Sequence, residues 1–192
     1  MKTLECRGIT LSDKQTKICV PITGTDLEEI KEQAEKIANM NPDVVEWRAD
    51  FYDVKDNDET EFEQCLKAIN DNLKKIPIIY TYRTSNEGGE KSIDVDDYCR
   101  LCKYVSEISE KYNVAMIDVE LYENKDRKDI GKLPLDIKST GVKVIGSNHH
   151  FEGTPSEKDI FNVLKTMEEA GADICKIAVM PKEKVDVKTL IN

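Results

Sequence analysis

No apolar run in the chain approaches the roughly 18 residues that a membrane-crossing helix needs. The opening segment, MKTLECRGIT, lacks the hydrophobic stretch that marks a secretory signal. Positive charge is also scarce: 28 Lys and Arg stand against 38 Asp and Glu, a net charge of −10. Such a chain offers no basic face to nucleic acid and no attraction to an anionic membrane surface. The apolar fraction of 39% is low for a globular protein, yet well above the disordered regime. No linker, low-complexity tract or second-domain boundary interrupts the sequence. These absences predict a cytoplasmic, acidic, globular protein with one domain over residues 1–192 and a small-molecule partner.

Six cysteines are present, at 6, 19, 65, 99, 102 and 175. Without a signal segment, an even count is weak support for a disulfide framework. Cys99 and Cys102 form a CxxC within DDYCRLCKYVSEIS, but that stretch has helical spacing, where positions three apart share a face. A zinc site would need two further ligands at suitable spacing, and none is nearby.

Short β-branched runs alternate with longer amphipathic stretches. The predicted strands are Lys17–Ile22, Asp43–Arg48, Pro77–Tyr82, Ala115–Glu120, Val142–Ser147 and Ile174–Val179. Helical periodicity marks Asp26–Asn39, Glu61–Leu73, Asp96–Tyr112 and Ser156–Ala170. The units recur about every 32 residues, as βα units do, and the alternation predicts an α/β fold with a parallel sheet. The segment Leu4–Val20 reads as a small hairpin leading into the first long strand. Two architectures compete, an open doubly wound sheet and a (β/α)₈ barrel. Pro21-Ile22-Thr23-Gly24-Thr25 is not the glycine-rich turn of a dinucleotide site.

In parallel α/β folds, functional residues gather at the C-terminal ends of strands. Glu46 and Arg48 flank Trp47 at one such end and share a side of the strand. They form either a structural ion pair or a ligand site. Arg83 follows the third strand, just before Glu87-Gly88-Gly89. The chain has only five arginines, and two of them at adjacent strand ends suggest an anionic or polyhydroxylated ligand. Asp118 and Glu120 alternate in an otherwise apolar strand and need cationic or hydrogen-bonding partners. The only two histidines, His149 and His150, follow Ser147-Asn148; imidazole suits proton transfer near neutrality. Lys176 sits in the middle of an apolar strand. It must pair with a carboxylate, lose its charge or snorkel outward. A neutral lysine can form a Schiff base with a ketone, and a nearby histidine can then remove a proton from the adjacent carbon. Aldol cleavage, isomerisation and dehydration all fit this set.

The stretches KICVPI, DVVEWRADF, PIIYTYRTSNEGGE, AMIDVEL, VKVIGSNHHFEGTP and ADICKIAVMP, in this order, resemble the type I 3-dehydroquinate dehydratases of the shikimate pathway. The resemblance implies a (β/α)₈ TIM-type barrel with an N-terminal hairpin closing its bottom. It implies dehydration of 3-dehydroquinate to 3-dehydroshikimate with no metal or organic cofactor. By the same resemblance, Lys176 is the Schiff-base lysine and His149 the general acid and base, with Glu87 orienting it. Glu46, Arg48 and Arg83 bind substrate, and Asp118 and Glu120 set the charge around Lys176. A class I aldolase is a poorer fit to the EWR, EGGE and SNH motifs.

Two departures stand out. His150 occupies a position where the family usually has an acid or an amide. Six βα units are visible, whereas a complete barrel has eight. The family's carboxylate-binding arginine and its closing-loop Ser and Gln have no counterpart. Three readings follow: a piece of a longer product, a truncated form with weak or no turnover, or a barrel completed by a second chain, as in a homodimer.

Overall fold

The computed structural model describes residues 3–54, 57–121 and 130–191. Two short strands, β1 (Leu4–Cys6) and β2 (Ile9–Leu11), pair antiparallel. Six parallel strands follow: β3 (Cys19–Ile22), β4 (Val44–Arg48), β5 (Ile78–Thr81), β6 (Val114–Glu120), β7 (Lys143–His150) and β8 (Ile174–Val179). The helices are α1 (Leu27–Ala38), α2 (Glu59–Leu73), α3 (Val95–Glu107), α4 (Leu133–Lys138), α5 (Glu157–Glu169) and α6 (Lys184–Ile191).

The sheet order is β3-β4-β5-β6-β7-β8. Each strand lies beside the one before it in the chain, which is barrel topology rather than the reversing order of a doubly wound sheet. Among the described residues, β3 and β8 each pair along one side alone.

The two faces of the sheet carry different cores. Val45, Trp47, Tyr80, Ile117 and Val144 join Ile30, Phe62, Leu66, Leu101 and Val163 of the helices in the large core. Trp47 is fully buried, with Phe62 at 5.7 Å and Tyr80 at 5.6 Å between ring centroids. Val44, Ala115, Met116 and Ile145 cluster instead with Ile9 of the hairpin, with Cys6 and Leu11 packed alongside. The hairpin therefore plugs the sheet at the N-terminal ends of its strands. The opposite ends remain for polar side chains.

Helix starts follow the sequence closely. Asp26, Asp58, Asp94 and Ser156 each accept a backbone N–H of the first turn, a contact worth about 1 kcal/mol. Cys99 and Cys102 lie on the buried face of α3. Two expectations need correction. Strand β7 runs on to His150 because its ladder with β8 continues through His149↔Ala178 and His150↔Val179. The third predicted helix ends at Glu107, not Tyr112, with Ile108 as its C-cap. Helix α4 carries Pro134 in its first turn and only six residues, too few to display a helical period.

Candidate active site

The strand register lines up the polar residues. Arg48 lies beside Thr81, and Thr81 beside Asp118. One step further on, Glu120 lies beside Ser147, and Ser147 beside Lys176. Positions two apart share a face, so Glu46, Arg48, Asp118, Glu120, Ser147 and Lys176 all project opposite the large core. The sheet thus carries a charged face at one end, behind an apolar plug at the other.

Arg83 is the hub of this face. Its Nη2 donates to Asp118 Oδ1 at 2.9 Å. Its Nη1 donates to Glu120 Oε1 at 2.9 Å, to Ser147 Oγ at 3.0 Å and to Glu87 Oε2 at 3.3 Å. Arg83 is 4% exposed. A buried cation of this kind is tolerable only when its charge and its donors are matched. Burial weakens its hold on the proton, but Asp118 and Glu120 outweigh that and push its pKa up. Glu120 also accepts the backbone N–H of Thr84 at 2.8 Å and its hydroxyl at 2.7 Å. Burial, the largest influence, nevertheless leaves the Glu120 carboxyl above its usual range, against the pull of Arg83.

Asp118 links the arginine to the lysine. Lys176 Nζ donates to Asp118 Oδ2 at 2.9 Å, and Ser147 Oγ donates to Asp118 Oδ1. Burial of Asp118 is outweighed by the charges of Arg83 and Lys176, and the carboxyl is held below its usual range. Lys176 thus faces the charged interior with a carboxylate partner and does not snorkel outward.

His149 is held from the side. Its Nδ1 lies 2.9 Å from Glu87 Oε2, and its ring stacks on Phe151 at 6.4 Å between centroids. Burial, joined by the charges of Arg83 and Lys176, pulls the imidazole down to about 4. At neutral pH the ring is uncharged. A neutral ring bonded to a carboxylate donates through Nδ1, which leaves the Nε2 lone pair as a base. His150 makes no such contact with Glu87, and its Nε2 is buried without a hydrogen-bond partner among the described residues.

Arg48 departs from expectation. Its side chain does not pair with Glu46. Its Nε and Nη2 clamp Asp50 at 2.8 and 2.7 Å, and Glu46 instead accepts the Thr81 hydroxyl at 2.8 Å. Spacing gives no pointer to the roles of Asp50, Thr81 and Thr84, and Ser147 stands out in the sequence only as a neighbour of the histidines. The available signal for Asp50 was an acid two residues past Arg48, in a chain already rich in acids. Among the described residues, no group of three or more His, Cys, Asp or Glu side chains is placed to hold a metal ion. A surface cleft of about 480 Å³ lies elsewhere, lined by Glu59, Arg100, Lys103 and Asp136. There Arg100 pairs with Glu59, and Lys103 with Asp136.

Fold and site together define a barrel-type α/β protein with a lysine, a histidine and a buried arginine–carboxylate cluster at its strand ends. The chain belongs to the type I 3-dehydroquinase family, whose sequence model matches residues 18–192. A 3-dehydroquinate dehydratase of Clostridium novyi is 37% identical over 100% of this chain and 74% of its own length. The Bacillus licheniformis enzyme of the same name is 41% identical over 100% of this chain and 73% of its own. The crystal structure of the Geobacillus kaustophilus 3-dehydroquinate dehydratase superposes with a TM-score of 0.90 at 29% identity, covering 99% of this chain and 72% of that one. The type I enzyme of Clostridium difficile, solved with covalently modified comenic acid, gives 0.90 at 35% identity over 99% and 73%. A mandelate racemase/muconate lactonizing protein of Herpetosiphon aurantiacus, at 16% identity and a TM-score of 0.58, shares the fold alone.

Proposed function

We propose that this chain dehydrates 3-dehydroquinate to 3-dehydroshikimate through an imine on Lys176. The observation that carries the reading is the pairing of Lys176 with Asp118 on the same charged face as a neutral His149 held by Glu87.

Lys176 passes its proton to Nε2 of His149, the free amine adds to the C3 ketone carbon, and His149 returns that proton to the departing C3 oxygen. Loss of water gives an iminium. That cation stands where the ammonium stood, so Asp118 balances the charge before and after. The iminium is an electron sink for the C2–H bond electrons. Nε2 of His149 takes the C2 proton, and an enamine forms. The enamine pushes out the C1 hydroxyl, which leaves as water with the proton from His149. Water then cleaves the imine, releasing product and Lys176. Glu46, Arg48 and Arg83 hold the substrate oxygens. Asp118 and Glu120 keep the Arg83 cluster in charge balance. The imine supplies the electron sink, so the reading assigns no cofactor.

No helix among the described residues is long and apolar enough to cross a membrane. The six free cysteines support a reducing compartment, and we assign the chain to the cytoplasm.

Borohydride reduction of the chain with 3-dehydroquinate tests the mechanism. The expected result is a stable adduct on Lys176, seen by intact mass and peptide mapping and absent from Lys176→Ala. A folded chain that gives no adduct overturns the reading.

A further inference from the structure

Asp50 sits in a single 3-10 turn, Ala49–Phe51, just past the end of β4. Its side chain is fully buried. Each carboxylate oxygen accepts two N–H groups. Oδ1 takes Arg48 Nε at 2.8 Å and the backbone N–H of Arg83 at 3.3 Å. Oδ2 takes Arg48 Nη2 at 2.7 Å and the backbone N–H of Glu90 at 3.2 Å. Four donors therefore converge on one carboxylate, and no acceptor faces it in this set.

The two halves of this arrangement serve different parts of the site. One half fixes a side chain. The Nε–Nη2 edge of Arg48 is occupied by Asp50, and the guanidinium lies over the Phe51 ring, 4.9 Å from its centroid. Among the described residues, Nη1 makes no hydrogen bond. The other half fixes a loop. The Arg83 and Glu90 amides bracket the segment that contains Glu87, the partner of His149. The loop is tight: a Cβ on Gly89 would lie 1.9 Å from the Arg83 carbonyl oxygen.

We propose that Asp50 is a positioning residue, which sets the substrate-facing edge of Arg48 and the loop carrying Arg83 and Glu87 in one common geometry. The proposal rests on the dehydratase reading insofar as Arg48 binds substrate. An amide cannot replace the carboxylate here, because its nitrogen would point a donor at a donor.

The test compares the wild-type chain, Asp50→Asn, Arg48→Met and the double variant. Borohydride trapping is measured against 3-dehydroquinate concentration. Asp50→Asn is expected to raise the half-saturating concentration about tenfold. In the Arg48→Met background the same change is expected to add only about two- to threefold, the part that acts through the loop carrying Arg83. A full tenfold effect in both backgrounds overturns the link to Arg48.

Amide hydrogen exchange on the ligand-free chain gives a second arm. In Asp50→Asn, the Arg83 and Glu90 amides are expected to exchange at least about ten times faster, while Ile117 and Val119 in β6 keep their protection. Unchanged exchange at Arg83 and Glu90 overturns the loop half of the proposal. If Asp50→Asn loses protection throughout, Asp50→Glu keeps the charge but shifts the oxygens, and the same two amides are read there. If the wild-type chain gives no adduct on Lys176, the dehydratase reading fails, and the exchange arm still decides whether Asp50 holds the loop.

Discussion

Nδ1 of His149 lies 2.9 Å from Oε2 of Glu87, so the carboxylate fixes which ring nitrogen carries the hydrogen. Glu87→Gln removes the charge that holds this tautomer and offers an amide donor in its place. The expected result is a fall in kcat of about 10²–10⁴-fold, with a much smaller change in KM. Steady-state kinetics checks it.

The depressed imidazole gives stability a pH signature. An unfolded histidine titrates at about 6.5, whereas the folded His149 titrates at about 4. Between these values the unfolded chain binds more protons, so stability falls as pH falls through that window. This contribution is fully present above about 6.5 and is lost progressively toward about 4. His149→Gln is expected to flatten the slope of stability against pH over that interval. Urea unfolding at several pH values measures the difference.

Arg83→Met leaves Asp118, Glu120 and Glu87 buried without their common cation. Breaking a buried ion cluster from one side costs about 3–5 kcal/mol. Chemical denaturation is expected to show a loss of that size, and an unchanged midpoint would contradict the hub role assigned to Arg83.

Gly88 has a left-handed backbone, φ +81°, and a Cβ there would meet the Phe151 ring at 2.3 Å. Phe151 stacks on His149. Gly88→Ala is therefore expected to displace the His149 ring and lower kcat by about tenfold or more, beyond a modest loss of stability. The chemical shifts of the His149 ring should move while those of helix α2 stay in place.

Glu63 accepts from Lys111 at 2.8 Å, Tyr104 at 2.6 Å and Tyr112 at 2.7 Å. These hydrogen bonds, Lys111 first, pull its carboxyl down to about 2. A depressed carboxylate stabilises the fold above its unfolded pKa, and that contribution disappears as pH falls through the folded value. Glu63→Gln is expected to erase this component of acid sensitivity between about pH 4.5 and 2. Thermal melts across that range check it.

Much of the fold was legible because strands and caps have local causes. Ile174–Val179 was bounded correctly from its apolar run alone. Asp26 and Ser156 start their helices where their side chains predict. Alternation placed Glu46 with Arg48 and Asp118 with Glu120 on shared sides, because side-chain direction in a strand is a matter of parity. Partner choice is different. Asp118 meets both Arg83 and Lys176, and that depends on register across four strands. Glu120 meets Arg83 and Thr84, although the sequence pointed to Lys176. Asp50 follows a strand end in a turn whose direction no period encodes. Long-range pairing of this kind is set by tertiary geometry and leaves no trace in spacing.

The sequential order of the strands has a consequence for synthesis. From β4 onward, each strand finds its partner in the segment made just before it. Translation needs a few seconds to supply about 30 residues, whereas local pairing takes microseconds to milliseconds. The sheet can thus grow outward from the ribosome one strand at a time, each step seated before the next begins. The hairpin is the exception. Ile9 clusters with Met116 and Ile145, so a segment made before the sheet is among the last to be fully covered. Until β7 emerges, Ile9 has only Val44, Ala115 and Met116 of its cluster to pack on, and its cover is completed when Ile145 arrives.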